Sequence, residues 1–130
     1  MKNKKIKVAI VGVGNCASSL VQGLTYYKNE KEIIGLMHPV LGGYTISDVE
    51  IVAAFDVNET KVGKDVADAI YADPNNTKIF AKVAKTGVIV QKSALLDGVG
   101  EYTKDVITIA KKKDADAITV LKKAGAEILV

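Results

Sequence analysis

The chain has 130 residues, 48% hydrophobic and 25% charged, which suits one domain (1–130) with its own core and excludes wholesale disorder. Its net charge is only +3, with lysines gathered at two solvated edges, Lys2, Lys4, Lys5 and Lys7, then Lys111, Lys112 and Lys113. No basic stripe alternates with aromatics and no run reaches the ~20 apolar residues of a membrane span, so neither nucleic acid nor membrane is an expected partner.

Ile6 to Val11 is short, apolar and β-branched, the pattern of a buried parallel strand. A basic start followed by an apolar run faintly suggests a signal peptide. The run Val8–Val13 falls short of the ~7–15 residues such a segment needs, and Gly14-Asn15 ends it. The lone cysteine, Cys16, cannot form an intrachain disulfide, which fits a reducing cytoplasm. Ala17, Leu20, Val21 and Leu24 then recur with helical spacing, fading near Lys28–Lys31. Residues 32–47 carry no period and read as an inserted loop.

Glu50 to Phe55 is a second buried strand, ending at Asp56. A helix is predicted over about 60–71, with Val62, Val66, Ala69 and Ile70 on one face, and a polar break at 73–78. Val88–Gln91 is a short third strand, and Asp97-Gly98-Val99-Gly100 is a loop. Asp105–Lys112 and Asp116–Lys123 both read as helical, with Gly125 at a helix C-cap position. Ala126–Val130 reads as a fourth buried strand. This alternation predicts an α/β fold: a Rossmann-like parallel sheet flanked by helices. A central strand at the end of the sequence leaves an apolar edge, so the domain is expected to be incomplete there.

Gly12-x-Gly14-x-x-Ala17 is the strongest motif, because it leaves a strand and opens a helix. Gly12 permits the tight turn, Gly14 lets backbone approach a pyrophosphate, and Ala17 allows close helix–strand packing. Free N–H groups at the helix start would face the phosphates. Asp56, at the end of strand two, can accept from the adenosine ribose hydroxyls and would repel a 2′-phosphate, which favours NAD over NADP. S-adenosylmethionine enzymes usually carry another acid just before the glycine loop, where this chain has Val11. Cys16 reads as a small filler beside the loop, and His38 as polar surface. One His and one Cys do not make a zinc site. Asn75, Asn76 and Thr77 either line a cofactor edge or form a turn, and Asp97 stands in the same position of choice.

The run from Val8 to Gly23, with Gly12-Val13-Gly14-Asn15-Cys16-Ala17-Ser18 at its centre, resembles myo-inositol-1-phosphate synthase of the actinobacterial and archaeal type. So do Gly35-Leu36-Met37-His38, Val52-Ala53-Ala54-Phe55-Asp56-Val57, Lys61-Val62-Gly63, Asp68-Ala69-Ile70 and Leu96-Asp97-Gly98-Val99-Gly100. The resemblance runs in order from about Ile6 to Val130. It implies an NAD-dependent isomerase that turns glucose 6-phosphate into inositol phosphate by oxidation at C5, enolisation, aldol closure and reduction, with no net redox change. It assigns Gly12, Gly14, Asn15, Cys16, Ala17 and Ser18 to the pyrophosphate loop and Asp56 to the ribose. Asn75, Asn76, Thr77 and Asp97 match motifs near the cofactor. In the family the chain continues past the strand at 126–130, and the oligomerising sheet, the substrate site and its lysines lie beyond. No catalytic residue is therefore expected here, and the lysine-rich stretch 110–115 departs from the family. Two readings follow: the NAD-binding part of such a synthase, inactive alone, or a stand-alone NAD-binding module that pairs with a copy of itself or another chain.

Overall fold

The computed structural model describes residues 5–130, so Lys2 and Lys4 of the first basic cluster lie outside the described residues. Strand β1 (Ile6–Val11) leads through the glycine loop into helix α1 (Asn15–Asn29). The inserted segment is present, and it contains a small hairpin, β2 (Val40–Leu41) and β3 (Tyr44–Thr45). Its turn, Gly42-Gly43, has positive φ at both positions (58° and 82°), which glycine supplies without a steric cost. A 3-10 turn (Ile46–Asp48), with Asp48 accepting from the N–H and hydroxyl of Thr45, delivers the chain to β4 (Val49–Asp56).

Helix α2 (Val66–Ala69), β5 (Gln91–Lys92), α3 (Ala117–Ala124) and β6 (Ile128–Leu129) complete the order. The four main strands form one parallel sheet, β5-β4-β1-β6, so the two apolar strands read from the sequence are the central pair. Strand alternation sends Ile10 and Ala54 to one face, where Val13, Ala17, Val21, Val66, Ile70 and Val90 pack. Ala9, Ala53 and Phe55 point to the other face, covered by Val120, Leu121 and Ala124 of α3. This is the Rossmann-like α/β arrangement predicted, with α1 and α3 on opposite faces.

Four expectations change. The helix over 60–71 is only Val66–Ala69. Gly63, at φ +87°, interrupts any helix that began earlier, and Asp65 caps a new one by accepting from the Ala67 N–H at 2.8 Å. The helix over 105–112 is absent. Val106, Ile107, Thr108 and Ile109 are consecutive β-branched residues, which favour extended backbone. The stretch runs antiparallel to 57–59 through Glu59 N–H to Thr108 O and Ala110 N–H to Val57 O. The last strand is not buried: Ile128 and Leu129 are about half exposed at the sheet edge. The third strand begins three residues later than predicted, while Val90 just before it is buried as expected. Asp116 and Gly125 behave as the sequence reading requires, the first capping α3 and the second closing it in the left-handed conformation (φ 66°, ψ 34°).

Candidate functional site

The site forms where β1 and β4 end, at the carboxyl edge of the sheet, the usual ligand edge of open α/β sheets. Gly12 still donates to Phe55 O (2.9 Å) and then turns with φ +90°, a value that strains any side chain-bearing residue. Val13 plunges into the core and is fully buried. Its peptide groups can join neither strand nor helix, so side chains must satisfy them. The Asp56 carboxylate accepts the Val13 N–H through Oδ2 at 2.7 Å, and the Lys61 ammonium donates to the Val13 carbonyl.

Gly14 is the N-cap of α1, with extended φ/ψ (−98°, −154°) and no side chain to cap the helix; no acid stands in the first turn. The N–H groups of Asn15, Cys16 and Ala17 therefore lack intrahelical acceptors and lie at the positive end of the helix dipole. A Cβ built on Gly14 meets no protein atom within 4 Å. Uncapped donors beside open space match a phosphate in charge and geometry. Ala17 is buried as the motif requires. Cys16 is exposed, so it fills no space. Ser18 is turned inward: its hydroxyl accepts from the buried Gln22 amide and its N–H returns to Gly14 O.

Asp56 ends β4 as predicted, but backbone makes the first claim on it. Oδ1 accepts the N–H groups of Val57 and Asn58, both at 2.8 Å, and Oδ2 accepts Val13. Oδ1 is saturated, while Oδ2 retains one acceptor position for a hydroxyl.

The structure brings 75–77 to the loop. Asn15 Oδ1 accepts the Asn76 N–H, and the Thr77 hydroxyl donates to Asn15 O, each at 2.9 Å. Asn75 shapes the turn, donating to Ile70 O and accepting from the Thr77 N–H. Asp97 is exposed in its own loop, and no hydrogen bond or ion pair joins it to the glycine loop. His38 is exposed in the inserted segment. No group of three or more His, Cys, Asp or Glu among the described residues could hold a metal.

Two residues escaped the sequence reading. Gln22, fully buried, donates to Ser18 Oγ and Lys78 O and accepts the N–H groups of Phe80 and Ala81, fastening an irregular segment to α1. Its only trace in the sequence is the Ser18/Gln22 pair, polar at i and i+4 beside the Ala17/Val21 stripe. Lys61 is 3% exposed. Burial pushes its ammonium pKa down, while Asp56 and Asp73 pull partly the other way. A groove of about 780 Å³ lies at the other end of the sheet, between Val21, Leu24 and Lys28 of α1 and Val49 at the start of β4. It faces the amino ends of the strands and holds none of the motif residues.

No protein-family model matches the chain. Curated relatives do: "Inositol-3-phosphate synthase" of Mycolicibacterium smegmatis is 51% identical over 97% of this chain, and those of Mycobacterium tuberculosis and Corynebacterium glutamicum are 50% and 44% identical. The chain spans only 35–37% of the length of these three relatives. Among solved structures, that titled Ari2 superposes with TM-score 0.74 at 29% identity, covering 97% of this chain and 37% of the other. A myo-inositol-1-phosphate synthase-related protein from Thermotoga maritima shares the fold (TM-score 0.62, 19% identity, 96% and 33% covered). By sequence the chain is similar to curated inositol-3-phosphate synthases, to which it corresponds over about a third of their length.

Proposed function

We propose that these residues hold the adenosine diphosphate half of NAD for an inositol-phosphate synthase reaction. The uncapped start of α1 beside the open space at Gly14 carries this reading. The N–H groups of residues 15–17 bind the pyrophosphate, the free acceptor position of Asp56 takes a ribose hydroxyl, and the 75–77 turn walls the site. Bound NAD supplies a hydride acceptor for a sugar phosphate. Isomerisation of glucose 6-phosphate requires groups outside this third of the relatives' length, in the same polypeptide or a partner. A cytoplasmic setting, where NAD and sugar phosphates are found, accords with this role.

Gly14→Ser tests the reading by calorimetric titration with NAD. Serine is a good N-cap, so the variant keeps or gains stability. Its side chain occupies both the space and the donors that the pyrophosphate needs, and NAD affinity falls at least ~10-fold. Equal affinity in the variant, or no binding by the unaltered chain, refutes the proposal.

A further inference from the structure

We propose that Lys61 is a positioning residue that locks the glycine loop into its binding shape, gripping Val13 from the side opposite Asp56. The inference rests on the reading of the loop as a dinucleotide site. Val13 lies between the two loop glycines, and both its peptide groups are held by charged side chains: the N–H by Asp56 Oδ2, the carbonyl by Lys61 Nζ.

Lys61 reaches there from the turn after β4, where its own N–H bonds to Asn58 O at 3.0 Å. Asn58 is in turn fastened to Asp56 Oδ1. One short stretch, 56–61, thus supplies both arms of the clamp. The clamp ties the phosphate donors at the start of α1 to the ribose acceptor at the end of β4. A pyrophosphate-bridged nucleoside must span those two groups, so fixing their separation removes an ordering cost from binding. A buried ammonium is costly, and a surface lysine would cost nothing at this position. The Asp56 and Asp73 carboxylates offset part of that cost, and no residue at the loop other than Lys61 meets the Val13 carbonyl.

Amide hydrogen exchange by NMR and NAD titration, on the unaltered chain and on Lys61→Met, test the assignment. Methionine keeps the length and removes the donor. Exchange at Val13, whose N–H Asp56 holds, should quicken ~10-fold or more, with Val66 and Ile70 exchanging as before, and NAD should bind ~10-fold more weakly. Lys61→Arg, which keeps a donor and the charge, should restore loop protection at least in part. Unchanged exchange at Val13 in the methionine variant overturns the proposal, as does quickened exchange spread evenly over the core. If the unaltered chain binds no NAD, the cofactor reading falls while the exchange arm still decides the role of Lys61. If the methionine variant does not fold, the arginine variant decides: a Val13 amide that exchanges as fast as an unbonded one would count against the proposal.

Discussion

Asp65 offers the sharpest test of how this fold is held. Its Oδ1 accepts from the Ala67 N–H (2.8 Å), the Thr86 N–H (3.1 Å) and the Thr86 hydroxyl (2.9 Å), and Oδ2 accepts from the Gly87 N–H (2.8 Å). One carboxylate thus caps α2 and anchors the irregular 86–90 stretch that feeds β5. Asp65→Ala forfeits an N-cap, ~1 kcal/mol, and strands two further part-buried N–H groups at ~1 kcal/mol each. The total is about 3 kcal/mol, or roughly 10 °C in Tm for a domain of this size. Burial pushes the Asp65 pKa up, but the bonds from Ala67, Thr86 and Gly87 outweigh it and leave the carboxyl below its ordinary value. A folded pKa below the unfolded one means the unfolded chain binds more protons in between. The stabilisation is therefore complete above the unfolded carboxylate value, near pH 4, and is lost as pH falls through the folded value. Urea unfolding followed by circular dichroism at pH 7 and at steps below pH 4 measures both effects. A variant within ~0.5 kcal/mol of the unaltered chain at pH 7 would refute the bond accounting. A gap that does not narrow in acid would refute the linkage.

Two further substitutions probe the loop and its wall. Asp56→Asn sets an amide donor against the Val13 N–H; stability should drop by ~1–3 kcal/mol in denaturant titration, and NAD affinity should fall ~10-fold in calorimetry. Gln22→Leu keeps the volume but leaves the N–H groups of Phe80 and Ala81 and the Lys78 carbonyl without a partner. It should cost ~2–4 kcal/mol, with proteolysis opening first within 78–83.

The central strands and the glycine loop were readable because their signals are local: β-branched runs, glycines at fixed spacing, and an acid at a strand end. Residues 60–71 misled because Val62, Val66, Ala69 and Ile70 are buried in the structure too; helical spacing survived a break that only the backbone of Gly63 and the cap of Asp65 reveal. Residues 105–112 misled for the opposite reason. Their extended form depends on pairing with 57–59, about fifty residues earlier, which no window of sequence contains. Lys61 and Gln22 were hard to read because the backbone atoms they hold lie about fifty or more residues away along the chain. A backbone carbonyl has no letter in the sequence.

The sheet order has a kinetic side. β1 lies between β4 and β6, and Val8 and Ala9 pair with Ile128 and Leu129, while Lys7 and Glu127, 120 positions apart in sequence, bond to each other. Such a loop is slow to close, and contacts this distant lower folding rates. During synthesis β1 can meet β4 after some fifty residues, but its other edge stays open until residue 128 emerges. The N–H of Val11, one residue before the glycine loop, finds its acceptor only in Val130. β1 is thus made before β4 and β6 yet is finished only when β6 arrives, and in the interval its bare edge is a target for chaperones or for misplaced strands.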